Sequence, residues 1–116
     1  MSRGELVSFD QGSDIIKIGY RNREVYLLLS GKIDILDDRG KAIDCIDKVE
    51  IFGEMAYLKK IPRVATVRVT SDKAATIRLE PNLFKEINEK FPSFHATVLK
   101  KMERRWEALK AKRSSC

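Results

Sequence analysis

The sequence predicts a mainly β domain that is followed by two α-helices. From residue 5 to residue 80, short apolar runs alternate with turn signals, which is typical of a β-sandwich or barrel. From Pro81 onward, apolar residues recur at steps of three or four, which is typical of helices. The chain has 116 residues, the size of one domain with one core.

The first half of the β region contains four predicted strands. They are residues 5–9, the group Ile15, Ile16 and Ile18 that stops at Gly19, the run 25–29, and the segment in which Ile33 and Ile35 alternate with polar residues. The run 25–29 is almost continuously apolar, so we expect it to be buried on both faces. Asp37 and Asp38 begin a hairpin connection, where solvated turn residues are expected.

The second half of the β region returns from that hairpin and adds two further strands. Ile43 and Cys45 alternate with Ala42 and Asp44, which predicts that the two pairs face opposite sides of the return strand. The last predicted strands are 66–70 and 74–79, joined by a polar turn.

The C-terminal segment reads as two helices over residues 81–112. Pro81 suits the first helical position, and Pro92 begins the second helix. The first helix has one apolar face, made of Leu83, Phe84, Ile87 and Phe91. The second has the apolar stripe Phe94, Val98, Met102, Trp106 and Leu109, and its opposite side carries Lys100, Glu103, Arg104 and Glu107.

Composition and charge narrow the function classes. The net charge is +6, and much of the positive charge lies in the last helix, including Arg104 and Arg105. We interpret the tail cluster Lys110, Lys112 and Arg113 as a solvated helical face, so a nucleic-acid partner is not expected. No apolar run approaches the roughly 20 residues that span a bilayer, and no secretory signal begins the chain, so we expect a cytoplasmic protein. Cys45 and Cys116 are interpreted as free thiols, and with the single His95 they are too few for a zinc cluster.

The most informative stretch is FGEMAYLKKIPRVATVRV, residues 52–69. Gly53 lets a backbone approach a ligand closely, and the N–H groups that begin a short helix carry partial positive charge. Arg63 offers a planar fork of donors that fits two phosphate oxygens. Glu54 can accept hydrogen bonds from sugar hydroxyls. The stretch therefore has the chemistry of a small-anion site.

The same stretch closely resembles the phosphate-binding cassette of the cyclic nucleotide-binding domain family. The matching positions are Phe52, Gly53, Glu54, Ala56, Leu58, Pro62, Arg63, Ala65, Thr66 and Val67. The resemblance implies an eight-stranded jelly-roll barrel with a short cassette helix between strands. It predicts one domain over 1–116, with a β-roll at 5–80, the cassette at 52–67 and C-terminal helices at 81–112. It also implies that Gly19, Gly31 and Gly53 occupy positions where a side chain would be costly.

The resemblance also assigns roles to residues of the cassette. Arg63 would grip the exocyclic oxygens of a cyclic phosphate, and Glu54 would accept the ribose 2′-hydroxyl. Val64 has the shape of threonine without its hydroxyl, which favours adenine over guanine. Backbone N–H groups and room beside the phosphate would come from Gly53, Met55, Ala56 and Ala65.

The remaining ligand contacts are less sharply defined by the sequence. Val25 and Leu27 are candidates to line the base pocket, although a buried strand explains them without a ligand. Met102 or Trp106 is a candidate cap over the base, although an apolar stripe on a helix is also explained by core packing. No Ser/His/Asp arrangement or phosphate loop is present, so no catalytic residue, cofactor or metal is expected.

These observations predict a non-enzymatic sensor that binds cAMP, with cGMP second, and moves its C-terminal helices in response. The alternative is a structural or protein-interaction module of the same fold that binds no cyclic nucleotide. The effector that such a sensor controls is not specified by the sequence. The last helix could pair with a second copy of the chain.

Overall fold

The computed structural model describes residues 4–111 and contains two four-stranded antiparallel sheets and three helices. The strands are β1 (Gly4–Asp10), β2 (Asp14–Ile16), β3 (Val25–Ser30), β4 (Ile33–Leu36), β5 (Ala42–Ile46), β6 (Glu50–Phe52), β7 (Thr66–Val69) and β8 (Lys73–Leu79). The helices are α1 (Glu54–Lys59), α2 (Pro81–Lys90) and α3 (Pro92–Ala111). The predicted β-roll with C-terminal helices is confirmed.

The two sheets enclose the main core between them. One has the strand order β1-β8-β3-β6 and the other β2-β7-β4-β5. In the first sheet β1 pairs with β8 along its whole length, from Gly4 opposite Leu79 to Asp10 opposite Lys73. The inward residues of both sheets form one apolar cluster, which includes Tyr26, Leu28, Phe52, Ile33, Ile35, Ile43, Val67 and Val69. This is the alternation expected of strands with one buried face.

A second core lies between the first sheet and the helices. Val25, Ile51 and Leu79 of the strands pack with Phe84 of α2 and Val98 of α3. This cluster explains why β3 is apolar on both faces at its start. The end of β3 differs from the prediction that the run 25–29 is buried on both faces, because Leu29 is 37% exposed.

Two strands differ from the prediction in their details. β2 ends at Ile16, and Ile18 is exposed because the chain has left the sheet and donates its backbone N–H to Thr66 Oγ1. In β5, Asp44 is buried and Cys45 is exposed, the reverse of what apolarity alone suggests for these two side chains. A register shift between Ile35 and Leu36 accompanies this arrangement, and the burial of Asp44 has an electrostatic cause described below.

The predicted first residues of the two C-terminal helices are confirmed, but one residue predicted on the apolar face of the first helix is exposed. Pro81 and Pro92 are the first residues of α2 and α3. Phe91 is 59% exposed, because it lies between the two helices rather than on the packed face. α3 is described to Ala111, and the predicted last helical residue, 112, lies outside the described residues, as does Cys116. Within residues 4–111, no helix has the length and apolarity required to cross a membrane.

Gly31 shows why glycine is needed between β3 and β4. Its φ is +94°, a conformation that residues with a side chain rarely adopt. A Cβ at this position would also collide with the Lys73 carbonyl oxygen and the Ala74 backbone of β8. The backbone of Gly31 therefore lies directly against the neighbouring strand, as the family resemblance implied.

Candidate functional site

The site is built on the turn that connects β6 to α1. Gly53 forms this turn with φ +83°, and it is the N-cap residue of α1. A Cβ on Gly53 would lie 2.8 Å from Ile16 Cδ1 and 3.2 Å from Arg63 Nη1. Both the backbone conformation and the space therefore require glycine here.

The short helix α1 is fixed at its end and on its outer face. Lys60 follows it with φ 56°, and its backbone N–H donates to the Ala56 carbonyl oxygen. The Tyr57 ring packs edge-on against Phe84 of α2, with ring centroids 5.1 Å apart. Phe84 in turn meets Phe94 of α3 at 6.4 Å. A continuous line of aromatic contacts therefore joins the cassette to both C-terminal helices.

The loop that carries Arg63 is held by two backbone hydrogen bonds. The Arg63 N–H donates to the Tyr20 carbonyl oxygen at 2.7 Å, and the Gly19 N–H donates to the Arg63 carbonyl oxygen at 2.7 Å. These bonds tie the loop before β7 to the loop between β2 and β3. The position of the Arg63 side chain is thereby set by the fold.

Arg63 is buried, with 4% of the residue exposed, and its guanidinium is held by neutral oxygens. Its Nη1 donates to the Gly53 carbonyl oxygen at 2.8 Å and its Nη2 to the Glu24 carbonyl oxygen at 2.6 Å. Its Nε donates to Asn22 Oδ1 at 3.3 Å. A guanidinium has five N–H donors, so these bonds leave donors to spare.

No carboxylate within residues 4–111 forms an ion pair with Arg63. Burial lowers the pKa of Arg63 from its usual value, while Tyr26, Glu24 and Glu54 act in the opposite direction. The group stays positively charged, because a guanidinium is not deprotonated at physiological pH. A buried cation without a counter-ion is unfavourable, and an anion beside it would remove that cost.

Glu54 lies on the same wall and is 1% exposed. Its Oε1 accepts from Arg105 Nη1 of α3, and its Oε2 is buried with no hydrogen-bond partner in the described part of the chain. One carboxylate oxygen is thus used by α3, and the other is left as an acceptor. The first-turn position beside positive helix amides also suits a carboxylate.

Arg105 is the centre of a buried ionic cluster that sequence reasoning did not find. It is 0% exposed, and besides Glu54 it binds Asp44 Oδ2 at 3.0 Å and Glu50 Oε2 at 2.5 Å. Arg104 also reaches Asp44, at 3.2 Å, and Lys101 reaches Glu50, at 3.0 Å. Burial opposes the charged form of Arg105, but Glu54, Asp44 and Glu50 outweigh it and raise the pKa of Arg105.

Arg105 is therefore a buried residue of α3, which was not predicted from the sequence. The signal that could have found it is its position, since Val98, Met102, Arg105 and Leu109 follow one another at helical steps. An arginine on an apolar stripe needs buried acids opposite it. Asp44 is one of these acids, which explains its burial in β5.

A narrow cavity and an open cleft adjoin each other at the cassette. The cavity has a volume of about 20 Å³, enough for roughly one water molecule. It is lined by Ile16, Ile35, Gly53, Glu54, Met55, Ala56, Arg63, Val64, Ala65, Val67 and Arg105. The cleft has a volume of about 420 Å³ and is lined by Ile18, Gly19, Asp37, Asp38, Arg63, Val64, Trp106, Leu109 and Lys110. Arg63 and Val64 line both spaces.

The structure brings all seven predicted cassette residues to the wall of the cavity, namely Gly53, Glu54, Met55, Ala56, Arg63, Val64 and Ala65. Trp106 lies in the cleft, and the ammonium of Lys59 sits 4.5 Å from its ring centroid. Met102 is buried one turn earlier on α3.

The candidate base-lining residues lie elsewhere. Val25 is in the core beneath the helices, and Leu27 lines a surface groove with Val49 and Phe94. Neither is among the residues that line the cavity or the cleft. Their apolarity follows from packing. Among residues 4–111, His, Cys, Asp and Glu form no group of three suited to holding a metal ion.

Comparison with known proteins decides the family. The sequence model of one protein family, the cyclic nucleotide-binding domain, matches residues 6–90, which include the whole cassette. The chain belongs to this family. The β-roll described above is thus that of a cyclic nucleotide-binding regulatory domain.

Three similar proteins place this domain in context. The Pycsar effector protein RsmPycTIR of Rhodovulum sp. (strain MB263) is 36% identical over 91 residues, which are 75% of this chain and 35% of that protein. A cAMP-dependent protein kinase regulatory subunit of Colletotrichum orbiculare is 36% identical over 69 residues, 59% of this chain and 18% of that protein. The structure of cAMP-bound PfPKA-R has a TM-score of 0.78 at 25% identity and covers 97% of this chain and 39% of that one.

Proposed function

We propose that this domain binds a cyclic nucleotide, cAMP in preference to cGMP, without the help of a metal or cofactor. The observation that carries the proposal is Arg63, a buried guanidinium with no carboxylate partner in the described chain and with unused donors at the wall of a cavity. A cyclic phosphate carries one negative charge on two exocyclic oxygens. It would supply the missing counter-ion and two acceptors to the planar fork.

Glu54 and Val64 define the rest of the ligand. Glu54 Oε2 is a buried acceptor without a partner among residues 4–111, so a ribose 2′-hydroxyl is a suitable donor for it. Val64 lines both the cavity and the cleft and has no hydroxyl to offer a guanine amino group. The preference for cAMP over cGMP rests on this side chain.

Ligand binding would be linked to a displacement of α3. The cavity is far smaller than a cyclic nucleotide, and Arg105 of α3 forms part of its wall while it holds Glu54. Moving α3 would enlarge the cavity, let the ribose hydroxyl approach Glu54, and bring Trp106 over the base. A ligand shifts this equilibrium only as far as it binds the displaced arrangement more tightly.

The domain would act as the regulatory part of a signalling protein. The chain spans about a third or less of the curated relatives it matches, at 35%, 18% and 24% of their lengths. The effector under its control is therefore set by what the domain is joined to or contacts. Pairing of two copies through α3 remains a prediction of the sequence.

A second candidate function is an interaction module that binds no cyclic nucleotide. The observation that favours it is the ionic cluster, because Arg105 already occupies one oxygen of Glu54 and lines a cavity of only about 20 Å³. If this closed arrangement is much more stable than the displaced one, no cyclic nucleotide would bind at accessible concentrations.

Calorimetric titration with cAMP, cGMP and 5′-AMP tests the proposal. We expect saturable binding of cAMP, weaker binding of cGMP, and much weaker binding of 5′-AMP, whose phosphate lacks the ring. Arg63→Ala should weaken cAMP binding by roughly 30- to several-thousand-fold, because it removes the charged partner of a desolvated anion. Arg68→Ala is the matched control, since Arg68 lies five residues later, in β7, and pairs with Asp14 on the surface.

The two candidate functions give different results in this experiment. No heat with any of the three nucleotides, from a protein that unfolds cooperatively, would favour the interaction module. Equal losses in Arg63→Ala and Arg68→Ala would show that the phosphate does not bind at Arg63.

A further inference from the structure

Asp37 is a buried acid that neither the cassette nor the ionic cluster uses. It follows β4 at the start of the hairpin to β5, where the sequence predicts a solvated turn residue. It is instead 6% exposed, whereas its neighbour Asp38 is exposed. The expectation of a solvated turn therefore holds for Asp38 and is wrong for Asp37.

The two carboxylate oxygens of Asp37 have different surroundings. Oδ1 accepts the backbone N–H groups of Arg39 and Lys41, both at 2.9 Å, and so fixes the turn. Oδ2 is closed to solvent and has no hydrogen-bond partner within the residues that the structure describes. The Lys41 N–H, with a smaller contribution from that of Arg39, outweighs the effect of burial and lowers the pKa of Asp37. The group is therefore an anion at neutral pH.

The hydrogen bonds of the turn explain the position of Oδ1, but they do not explain why Oδ2 is buried without a donor. A buried acceptor without a donor costs free energy that a suitable partner would recover. Asp37 lines the same cleft as Val64 and Trp106. This cleft lies beside the cavity at the cassette, where we propose that the phosphate and the ribose bind. The part of a nucleotide that extends past Val64 from a phosphate at Arg63 is its base.

We infer that Asp37 determines base specificity by accepting a hydrogen bond from an exocyclic amino group of the bound base. This inference rests on the proposed function and adds the base chemistry that the site selects. Bases with an amino group, such as adenine or cytosine, satisfy Oδ2. Bases that carry an oxo group in its place, such as hypoxanthine or uracil, set a second acceptor against the carboxylate and are rejected.

The geometry also links this selection to α3. Trp106, Leu109 and Lys110 of its C-terminal turns line the cleft together with Asp37. Oδ2 is closed to solvent in this arrangement, and the proposal requires that displacement of α3, which shares the cleft with Asp37, opens a path from the base to Oδ2. A correct base then adds a hydrogen bond that exists only in the displaced arrangement, which makes it a better trigger as well as a tighter ligand.

Matched nucleotide pairs test the inference. cAMP is titrated against cIMP, and cCMP against cUMP, because each pair differs in whether the base carries an amino or an oxo group. We expect the amino member of a pair to bind about 10- to 100-fold more tightly to the unaltered chain. In Asp37→Asn the ratio should reverse in favour of the oxo member, since the amide oxygen stays with the N–H groups of Arg39 and Lys41 and the amide nitrogen, which only donates, faces the base.

Asp38→Asn is the control, because Asp38 lines the same cleft but is exposed, and it should keep the ratio of the unaltered chain. Binding of both members of each pair with equal affinity to the unaltered chain would overturn the inference while leaving the proposed function intact. So would an unchanged ratio in a folded Asp37→Asn protein. Failure of every cyclic nucleotide to bind to the unaltered chain would overturn both the proposed function and the role of Asp37. That result is distinguishable from the others because it is seen without any substitution.

Discussion

At the scale of single residues, three buried charged side chains define the site, and each has a different electrostatic state. Arg105 is fully compensated by acids, Arg63 has no acid among residues 4–111, and Glu54 shares one oxygen with Arg105 and leaves the other free. Compensated charges hold a fold together, whereas uncompensated ones are available to a ligand. This contrast separates Arg63 from the structural arginine only 42 positions later in the sequence.

Glu54 should recognise the ribose 2′-hydroxyl. We expect 2′-deoxy-cAMP to bind the unaltered chain about tenfold or more weakly than cAMP, because Oε2 loses its donor. In Glu54→Ala, which leaves no hydrogen-bonding group at this position, the two ligands should bind with similar affinities. Comparing them within one variant cancels any effect of the substitution on Arg105, and calorimetry measures both. Equal binding of cAMP and 2′-deoxy-cAMP to the unaltered chain would remove Glu54 from the ribose site.

Arg105 should be essential for stability. Arg105→Ala leaves Asp44, Glu50 and Glu54 in a buried space with their central cation gone, and we expect the free energy of unfolding to fall by about 3–5 kcal/mol. Arg104→Ala is the control, since its 52% exposed side chain makes one ion pair, and it should cost about 0–1 kcal/mol. Urea unfolding of both variants measures the difference. Similar losses would mean that the cluster acts only as surface charge.

The residue scale also shows where sequence reasoning ends. Arg63, Glu54 and Gly53 could be predicted because their spacing is local and matches a known cassette. The place of Arg105 on an apolar stripe indicates burial, but the identity of its acidic partners could not be predicted. The burial of Asp37 could not be predicted either, because its sequence context is that of a solvated turn. The partners of Arg105 lie 51 to 61 positions earlier in the chain. Only the folded roll brings them together.

At the scale of elements, α3 connects the ligand site to the rest of the molecule. Its packing against the roll combines the apolar contacts of Val98 with the ionic cluster at Arg105, and Tyr57, Phe84 and Phe94 link it to α1. The boundaries of α2 and α3 were predictable from two prolines and the helical spacing. The sidedness of β5 was not, because the register shift beside Ile35 and the demand of Arg105 for Asp44 are tertiary effects.

Movement of α3 should be visible in the emission of Trp106, the one tryptophan of the sequence. Lys59 of α1 lies 4.5 Å from the centre of its ring, so a shift of α3 relative to the cassette changes the surroundings of the indole. We expect cAMP to change the fluorescence intensity or wavelength with the same concentration dependence as calorimetric binding. Arg63→Ala should show no change over that range. Binding heat without a fluorescence change would contradict the displacement of α3.

At the scale of the whole molecule, the β-roll is the frame that carries the cassette loop and packs against α3. The two sheets enclose a common apolar core, and the cassette is an insertion between β6 and β7. The overall architecture was predictable because strand alternation and turn residues are repeated along the chain. The closed state of the cavity was not, because it depends on how α3 docks.

Ligand binding should stabilise the entire domain against heat. A ligand at about 100 times its dissociation constant adds about 2.7 kcal/mol, which in a domain of this size raises the unfolding temperature by on the order of 10 °C. We expect this shift with cAMP in the unaltered chain, followed by circular dichroism. The same concentration should raise the unfolding temperature of Arg63→Ala by about a third of this shift or less, because the variant binds at least roughly 30-fold more weakly. An equal rise in both proteins would point to binding outside the cassette.

A crystal structure of the domain grown with cAMP tests the central claim most directly. The account predicts both exocyclic phosphate oxygens within hydrogen-bond distance of the Arg63 guanidinium, the ribose 2′-hydroxyl on Glu54, and α3 displaced from its present position over the cavity. A nucleotide bound away from Arg63, or bound with the Glu54–Arg105 pair and the cavity unchanged, would contradict it.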